Sequence, residues 1–181
     1  MKEIALHILD IIQNSIRAEA TCITLRIEEK PSADRFVIEI EDNGKGMPEA
    51  IRSTVTNPFT TTRTLRRVGL GIPLLYQLCE ECEGKLTIDS KEGEGTRIKA
   101  IMRYHHIDRL PLGDMVSTLY TLIMAKPEIR YIYEHNYEAQ SFRMDTEQIV
   151  EMLDGVPINH PDILAWIKSY IAENEIALYS K

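Results

Sequence analysis

Asp42-Asn43-Gly44-Lys45-Gly46 is the segment whose residue types and spacing point most directly to chemistry. It follows Phe36-Val37-Ile38-Glu39-Ile40-Glu41, whose alternation predicts a β-strand. A carboxylate at a strand end can accept a hydrogen bond from the exocyclic amine of a purine. Gly44 and Gly46 leave room where a Cβ would block close approach to the backbone. Taken alone, the segment reads equally as a hairpin turn, which Asn-Gly favours. Upstream, His7, Asp10, Asn14 and Arg17 are spaced three, four and three residues apart, which aligns them as one polar stripe on a helix. Standing alone the stripe is as well read as a solvated face. Beside the strand-end carboxylate it reads as the lining of a pocket. Downstream, Gly69 and Gly71 precede a helix start, where free N–H groups and the helix dipole favour phosphate. Arg63, Arg66 and Arg67 come just before, in a stretch from Phe59 to Gly71 without an acidic residue. They read as a solvated basic loop or, next to a triphosphate, as a lid that closes over it.

The elements that must position these groups follow from hydrophobic period. Ile4, Ile8, Ile11, Ile12 and Ile16 predict a helix over 3–19. Residues 21–29 alternate as a strand, 30–34 turn, and the strand before Asp42 follows. A short helix is expected over 48–55, with Pro48 in its first turn. Residues 57–68, rich in Thr and Arg and without a period, read as a mobile loop. A helix over 71–83 stops at Gly84, and strands over 85–89 and 96–103 flank the Gly93-Glu94-Gly95 turn. The placement of Glu80, Glu81 and Glu83 at that helix's C-terminal end opposes the helix dipole and has no explanation in the sequence. The fold class expected is an α/β (α+β) sandwich: helices on a mixed, mainly antiparallel sheet.

After Arg103 the character changes. Seven of the eight tyrosines and the single tryptophan, Trp166, lie at or beyond residue 104. Leu110-Pro111-Leu112-Gly113 reads as a linker turn. A helix to about Lys126, a hairpin of 129–135 with 140–144, and helices near 146–153 and 161–174 follow. The chain is therefore divided into a first domain, 1–104, and a small α+β appendage, 105–181, packed on it as a candidate partner-binding region.

At 181 residues, 44% hydrophobic and 27% charged, the chain has an ordinary globular composition and room for one good core. Residues 1–104 carry 15 Lys and Arg against 16 Asp and Glu, a net of −1, whereas residues 105–181 carry 6 against 12, a net of −6. This acidic balance argues against nucleic acid as a partner. No apolar run reaches the roughly 18 residues a membrane span needs, and Glu3, His7 and Asp10 interrupt any signal-peptide character. A cytoplasmic location is expected. Cys79-x-x-Cys82 has no second pair to complete a zinc site. It reads as two cysteines on one helix face, with Cys79 in the core, in preference to a redox pair.

Together, Leu9-Asp10-Ile11-Ile12-Gln13-Asn14-Ser15-Ile16-Arg17-Ala18, Asp42 to Met47, and Asn57-Pro58-Phe59-Thr60-Thr61-Thr62-Arg63 with Val68-Gly69-Leu70-Gly71-Ile72 form an ordered set. They resemble the N-box, G1-box and F-box/G2-box of the GHKL, or Bergerat-fold, ATPases. The likeness covers roughly residues 1 to 103 and runs nearest to the histidine-kinase catalytic domain, whose members often read P-F-x-T-T-K before G-L-G-L. The resemblance implies that Asp42 accepts a hydrogen bond from the adenine amino group, that Asn14 coordinates Mg²⁺ bridging the phosphates, and that Arg17 contacts phosphate. It further implies nucleotide contacts for Gly44, Gly46, Thr62, Arg63, Gly69 and Gly71. Thr96, in Gly93-Glu94-Gly95-Thr96, matches a late G-x-G-T that supports the adenine, although a strand residue after a turn would look the same. Asp10 stands where gyrase-like members carry a water-activating Glu. It is the candidate general base, one methylene shorter than usual. Arg67 replaces the first Gly of the usual G-x-G-x-G. His106-Ile107-Asp108-Arg109-Leu110-Pro111-Leu112 echoes the kinase H-box, but lies at a linker turn and reads as a strand-end histidine. With the first helix beginning at residue 3, no phosphoacceptor helix pair is expected ahead of it.

These readings converge on an ATP- and Mg²⁺-binding, histidine-kinase-like signalling protein kinase acting on a separate, unidentified protein partner, as the anti-sigma-factor kinases of the superfamily do. A stand-alone ATPase switch and a non-catalytic ATP-binding regulator are the alternatives, and a homodimer is left open.

Overall fold

The isoleucine pattern that predicts the first helix also decides which of its faces is buried. In the computed structural model, which describes residues 2–55 and 70–180, α1 spans Ile4–Arg17 and buries Ile4, Ile8, Ile11 and Ile12. The chain then runs through β1 (Cys22–Lys30), a 3₁₀ turn, β2 (Arg35–Asp42), the single-turn α2 (Glu49–Arg52), α3 (Gly71–Glu81), β3 (Lys85–Lys91) and β4 (Gly95–Met102). The second half adds α4 (Met115–Ala125), a hairpin of β5 (Arg130–Tyr137) and β6 (Gln140–Asp145), α5 (Thr146–Met152) and α6 (Pro161–Leu178). The expected loop over 57–68, including the arginine lid, lies outside the described residues.

The six strands among the described residues form one sheet in the order β3-β4-β2-β1-β5-β6. Every pairing is antiparallel except β1 with β5. The sheet is mixed and mainly antiparallel with helices packed on it, as the sequence predicts. The second half does not make a sheet of its own. β1 would otherwise be an open edge, with unpaired N–H and C=O groups, and β5 and β6 cover it. A second joint lies at the start of α1, whose first N–H groups have no partner within the helix. The Ile4 and Ala5 N–H groups donate to the carbonyls of Pro111 and Leu112 at 3.0 and 2.8 Å, so the supposed linker is an end-cap for α1.

Strand alternation gives the two sheet faces different chemistry. Ile23, Leu25 and Ile27 of β1 and Phe36, Ile38 and Ile40 of β2 are buried in the core on the helix side. On the opposite side, Arg26 pairs with Glu39 at 2.9 Å, Glu41 at 3.1 Å and Glu134 at 3.1 Å. Arg97 reaches Glu41 and Lys99 reaches Glu39 from β4, and Arg143 reaches Glu134 from β6. Each part-exposed pair contributes about 0–1 kcal/mol. Their collective effect is to hold register across five strands and keep that face wet.

Of the three acidic residues at the end of α3, Glu83 has a partner outside the helix. Glu83, in a left-handed turn at φ 53°, receives Arg103 Nη1, just after β4, at 3.0 Å, so its charge is paired across the chain and does not meet the helix end. Cys79 and Cys82 are both buried and unbridged. Burial pushes the Cys79 thiol up to about 12, which leaves it a packing residue rather than a nucleophile. Among the described residues no cluster of His, Cys, Asp and Glu could hold a metal.

Candidate functional site

Asp42 is the last residue of β2, and its cross-strand partner on β4 is Thr96. Both face the same side as Ile40 and Ile98, toward α1. A cavity of about 600 Å³ opens there, within the range of small-molecule sites. Its walls are largely aliphatic, with Ile11, Ile40, Ile72 and Ile98. Asn14, Ser15, Arg17, Asp42, Lys45 and Thr96 are the polar residues of the lining.

Asp42 is 9% exposed and its two oxygens are fixed separately. Oδ2 accepts from Ser15 Oγ at 2.5 Å and Oδ1 from the Gly44 N–H at 2.9 Å. Each oxygen retains a further lone pair for a ligand amine. Ser15 is the residue that sequence reasoning missed. It falls one turn after Ile11, on the apolar face of α1, and is buried. A buried hydroxyl on an apolar face needs a partner, and that was the available signal.

The loop after Asp42 is locked to the rest of the protein. Asn43 Oδ1 accepts from the Thr21 and Cys22 N–H groups, both at 2.9 Å. The Lys45 N–H donates to the Ala18 carbonyl at 2.8 Å. The glycines serve this packing. A Cβ on Gly44 would lie 2.7 Å from the Ala18 carbonyl oxygen, and one on Gly46, at φ +67°, only 2.1 Å from that of Lys91. The room they leave is therefore filled by the protein's own backbone.

The polar stripe of α1 divides. Asn14 and Arg17 line the cavity, with Arg17 Nη1 donating to Asn14 Oδ1 at 3.0 Å. His7 is buried, and that burial lowers its imidazole below the usual value. Asp10 is absent from the lining. Its Oδ2 accepts the Gly71 N–H at 2.6 Å, so it caps α3 from another helix. A ridge of four residues covers nearly three turns: Asp10 meets the start of α3, while Asn14 and Arg17 lie at the cavity. Thr96 Oγ1 lies 2.8 Å from Ser90 Oγ. Thr62, Arg63 and Gly69 lie outside the described residues. His106 sits in the turn after β4, beside Glu83 at 3.7 Å and Asp108 at 3.8 Å.

Residues 2–106, more than half of the chain, match the family described as histidine kinase-, DNA gyrase B-, and HSP90-like ATPase. The chain belongs to this family. Among curated relatives it is 30% identical over 94 residues to sporulation kinase C of Bacillus subtilis (strain 168), covering 52% of this chain and 22% of that protein. It is 32% identical over 84 residues to sensor kinase CckA of Brucella abortus (strain 2308), covering 46% of this chain and 9% of that one. The chain thus spans less than a quarter of the length of these relatives, which share its histidine kinase-like ATPase domain. A crystal structure of the N-terminal domain of a DNA repair protein has the same fold, with a TM-score of 0.53 at 13% identity, over 80% of this chain and 52% of that one. That overlap is longer than the family match, so the shared fold reaches into the second half. No helix among the described residues is long and apolar enough to cross a membrane.

Proposed function

We propose that this chain binds ATP with Mg²⁺ in the cavity beneath α1 and acts as a signalling protein kinase, passing the γ-phosphoryl group to a separate protein partner. The observation that carries the reading is Asp42, a buried carboxylate held by Ser15 and the Gly44 N–H in an otherwise aliphatic cavity. An adenine amino group donates to such a carboxylate. Guanine would present a carbonyl oxygen there and leave two acceptors face to face in a buried site. Thr96, across the sheet from Asp42, lines the adenine side. Gly44 and Gly46 hold the loop that places it.

The cations of the lining, Arg17 and Lys45, are exposed and suit the phosphates. Asn14 Oδ1 already takes a cationic donor, Arg17, and fits a hard cation that needs only one or two protein oxygens. Mg²⁺ bound there would neutralise phosphate charge. Gly71, at the start of α3, with Gly69, Thr62 and Arg63 before it, is assigned to the phosphate side in this proposal, which requires the Gly71 N–H to leave the Asp10 carboxylate it meets in this structure. Asp10 is the candidate base for a hydroxyl acceptor or water. Residues 105–181 are assigned to the partner, a protein rather than a nucleic acid given their net charge of −6, in a cytoplasmic setting.

A second reading, an ATP-binding regulator without turnover, is favoured by one observation: the Asp10 carboxylate is engaged by the Gly71 N–H and does not face the cavity. Calorimetry with ATP and GTP, followed by γ-labelled ATP with and without candidate partners, separates the readings. Label on the partner supports the kinase, free phosphate from the protein alone the ATPase switch, and tight binding without either the regulator. No ATP binding at all would end all three.

A further inference from the structure

We infer that α6 is fastened to the central sheet by a protonation-dependent clasp, in which the imidazolium of His135 bridges Glu29 of β1 and Glu175 of α6. The parallel register of β1 with β5 brings His135 and Glu29 together on the helix-covered face. The His135 side chain is 0% exposed, that of Glu29 5% and that of Glu175 14%. Nε2 lies 3.0 Å from Glu29 Oε1 and Nδ1 lies 2.9 Å from Glu175 Oε2. Both ring nitrogens therefore face carboxylate oxygens. A neutral imidazole has one N–H and one lone pair, so it would set that lone pair against a carboxylate. The Tyr133 hydroxyl, 3.2 Å from Nδ1, could meet that lone pair only by giving up its bond to Glu175, so the charged ring is the state in which both carboxylates keep their donors.

The surrounding groups reinforce the arrangement. Tyr133 donates to Glu175 Oε1 at 2.8 Å, and Tyr179, just beyond α6, donates to Glu29. Tyr137 packs on Tyr179, with ring centroids 4.7 Å apart. Tyr104 and Arg109 approach Glu29 from the segment after β4, the guanidinium lying over the Tyr104 and Phe36 rings. Two carboxylates thus face one guanidinium and one imidazolium. Loss of the His135 proton leaves an excess negative charge beneath α6, in a place where water cannot compensate it.

Burial opposes the charge on His135, but the hydrogen bonds and charges of Glu175 and Glu29 outweigh it and push the imidazole up to about 9. The folded value exceeds the unfolded one, so this stabilisation is complete below about pH 6.5 and is lost as pH rises through about 9. Burial alone would raise Glu29, yet the hydrogen bonds from His135 and Tyr179 hold it below the usual carboxylate value. Its contribution is present above about pH 4.5 and is lost as pH falls through that lowered value. The clasp is closed at neutral pH and opens on the alkaline side. Opening removes the polar tie at the C-terminal end of α6 and leaves the helix held by its buried apolar residues, Leu164, Ile167 and Ile171, which pack it against α4 and β6.

The test is a ¹³C or ¹⁵N NMR titration of the imidazoles of the wild-type protein, paired with hydrogen exchange. One of the five histidines should titrate near pH 9, and Glu175→Gln should move that midpoint down. Exchange protection of 164–178, corrected for intrinsic rate, should fall at least about tenfold between pH 7 and pH 10 while α1 keeps its protection. In Glu175→Gln the fall should come at lower pH. Five imidazoles all titrating below about 7.5, α6 protection that is constant over this range, or equal loss in α1 and α6 would each overturn the clasp.

Discussion

Asp42→Asn isolates recognition from folding. The amide has the shape of the carboxylate. Its oxygen can still accept the Gly44 N–H, now at 2.9 Å, and the Ser15 hydroxyl, now donating at 2.5 Å, can turn and accept from the amide nitrogen. Two charge-assisted hydrogen bonds become neutral ones, so the expected loss of stability is about 1 kcal/mol. The ligand meets a larger change. An adenine amino group that donates to Oδ2 in the native cavity would face the amide N–H that takes its place, and one buried donor would go unpaired. That costs about 2 kcal/mol or more, roughly thirtyfold in ATP affinity. GTP should lose less, because an amide N–H can meet its carbonyl oxygen. The assay is titration calorimetry with ATP, GTP and adenosine on both proteins, beside denaturant unfolding to confirm that Asp42→Asn folds. ATP affinity within threefold of wild type, in a variant of native stability, would refute the placement of the purine against Asp42.

The same logic extends to its neighbours. Ser15→Ala removes the donor on Asp42 Oδ2 and should lower stability by about 1–2 kcal/mol and weaken ATP several-fold, measured by urea unfolding and calorimetry; an unchanged protein would mean that Ser15 only fills space. Asp10→Asn keeps an acceptor for the Gly71 N–H while removing a base, so it should cut any turnover by about a hundredfold with ATP affinity nearly intact. Turnover that survives the change would leave Asp10 as the cap of α3 alone. Burial raises all three thiols, Cys79 to about 12, but Cys22 alone is part-exposed, so a thiol reagent at pH 8 should label Cys22 first and the other two only on unfolding; equal rates would contradict the packing described.

What the sequence conveys about this fold is what has a local period. The isoleucines of α1, the alternation of β1 and β2 and the hairpin in the second half place elements within a few residues of where they lie, because each buries one face at its own repeat. The short miss on α6, expected to end near residue 174 but running to Leu178, is of the same kind. Its last turn carries Glu175, whose carboxylate is occupied by His135 and Tyr133, and nothing local marks a charge as destined for burial.

The parallel pairing of β1 with β5 has no local signature at all. Hydrogen-bonding partners more than a hundred residues apart are chosen by which edge is open after the first strands have paired, so a chain that reads as a domain with an appendage folds as one sheet. The site repeats the distinction. Asp42, Asn14 and Arg17 were legible because a strand end and a helical turn put them at fixed spacings. The bonds of Asp42 with Ser15 and of Asp10 with Gly71 join residues 27 and 61 positions apart, and they follow from how α1 lies across β2 and α3. That crossing turns one polar stripe into two structures: an N-terminal part that caps α3 and a C-terminal part that lines the cavity. A change that shifts α1 along its axis should therefore disturb both together, whereas Asp42→Asn should disturb only the second.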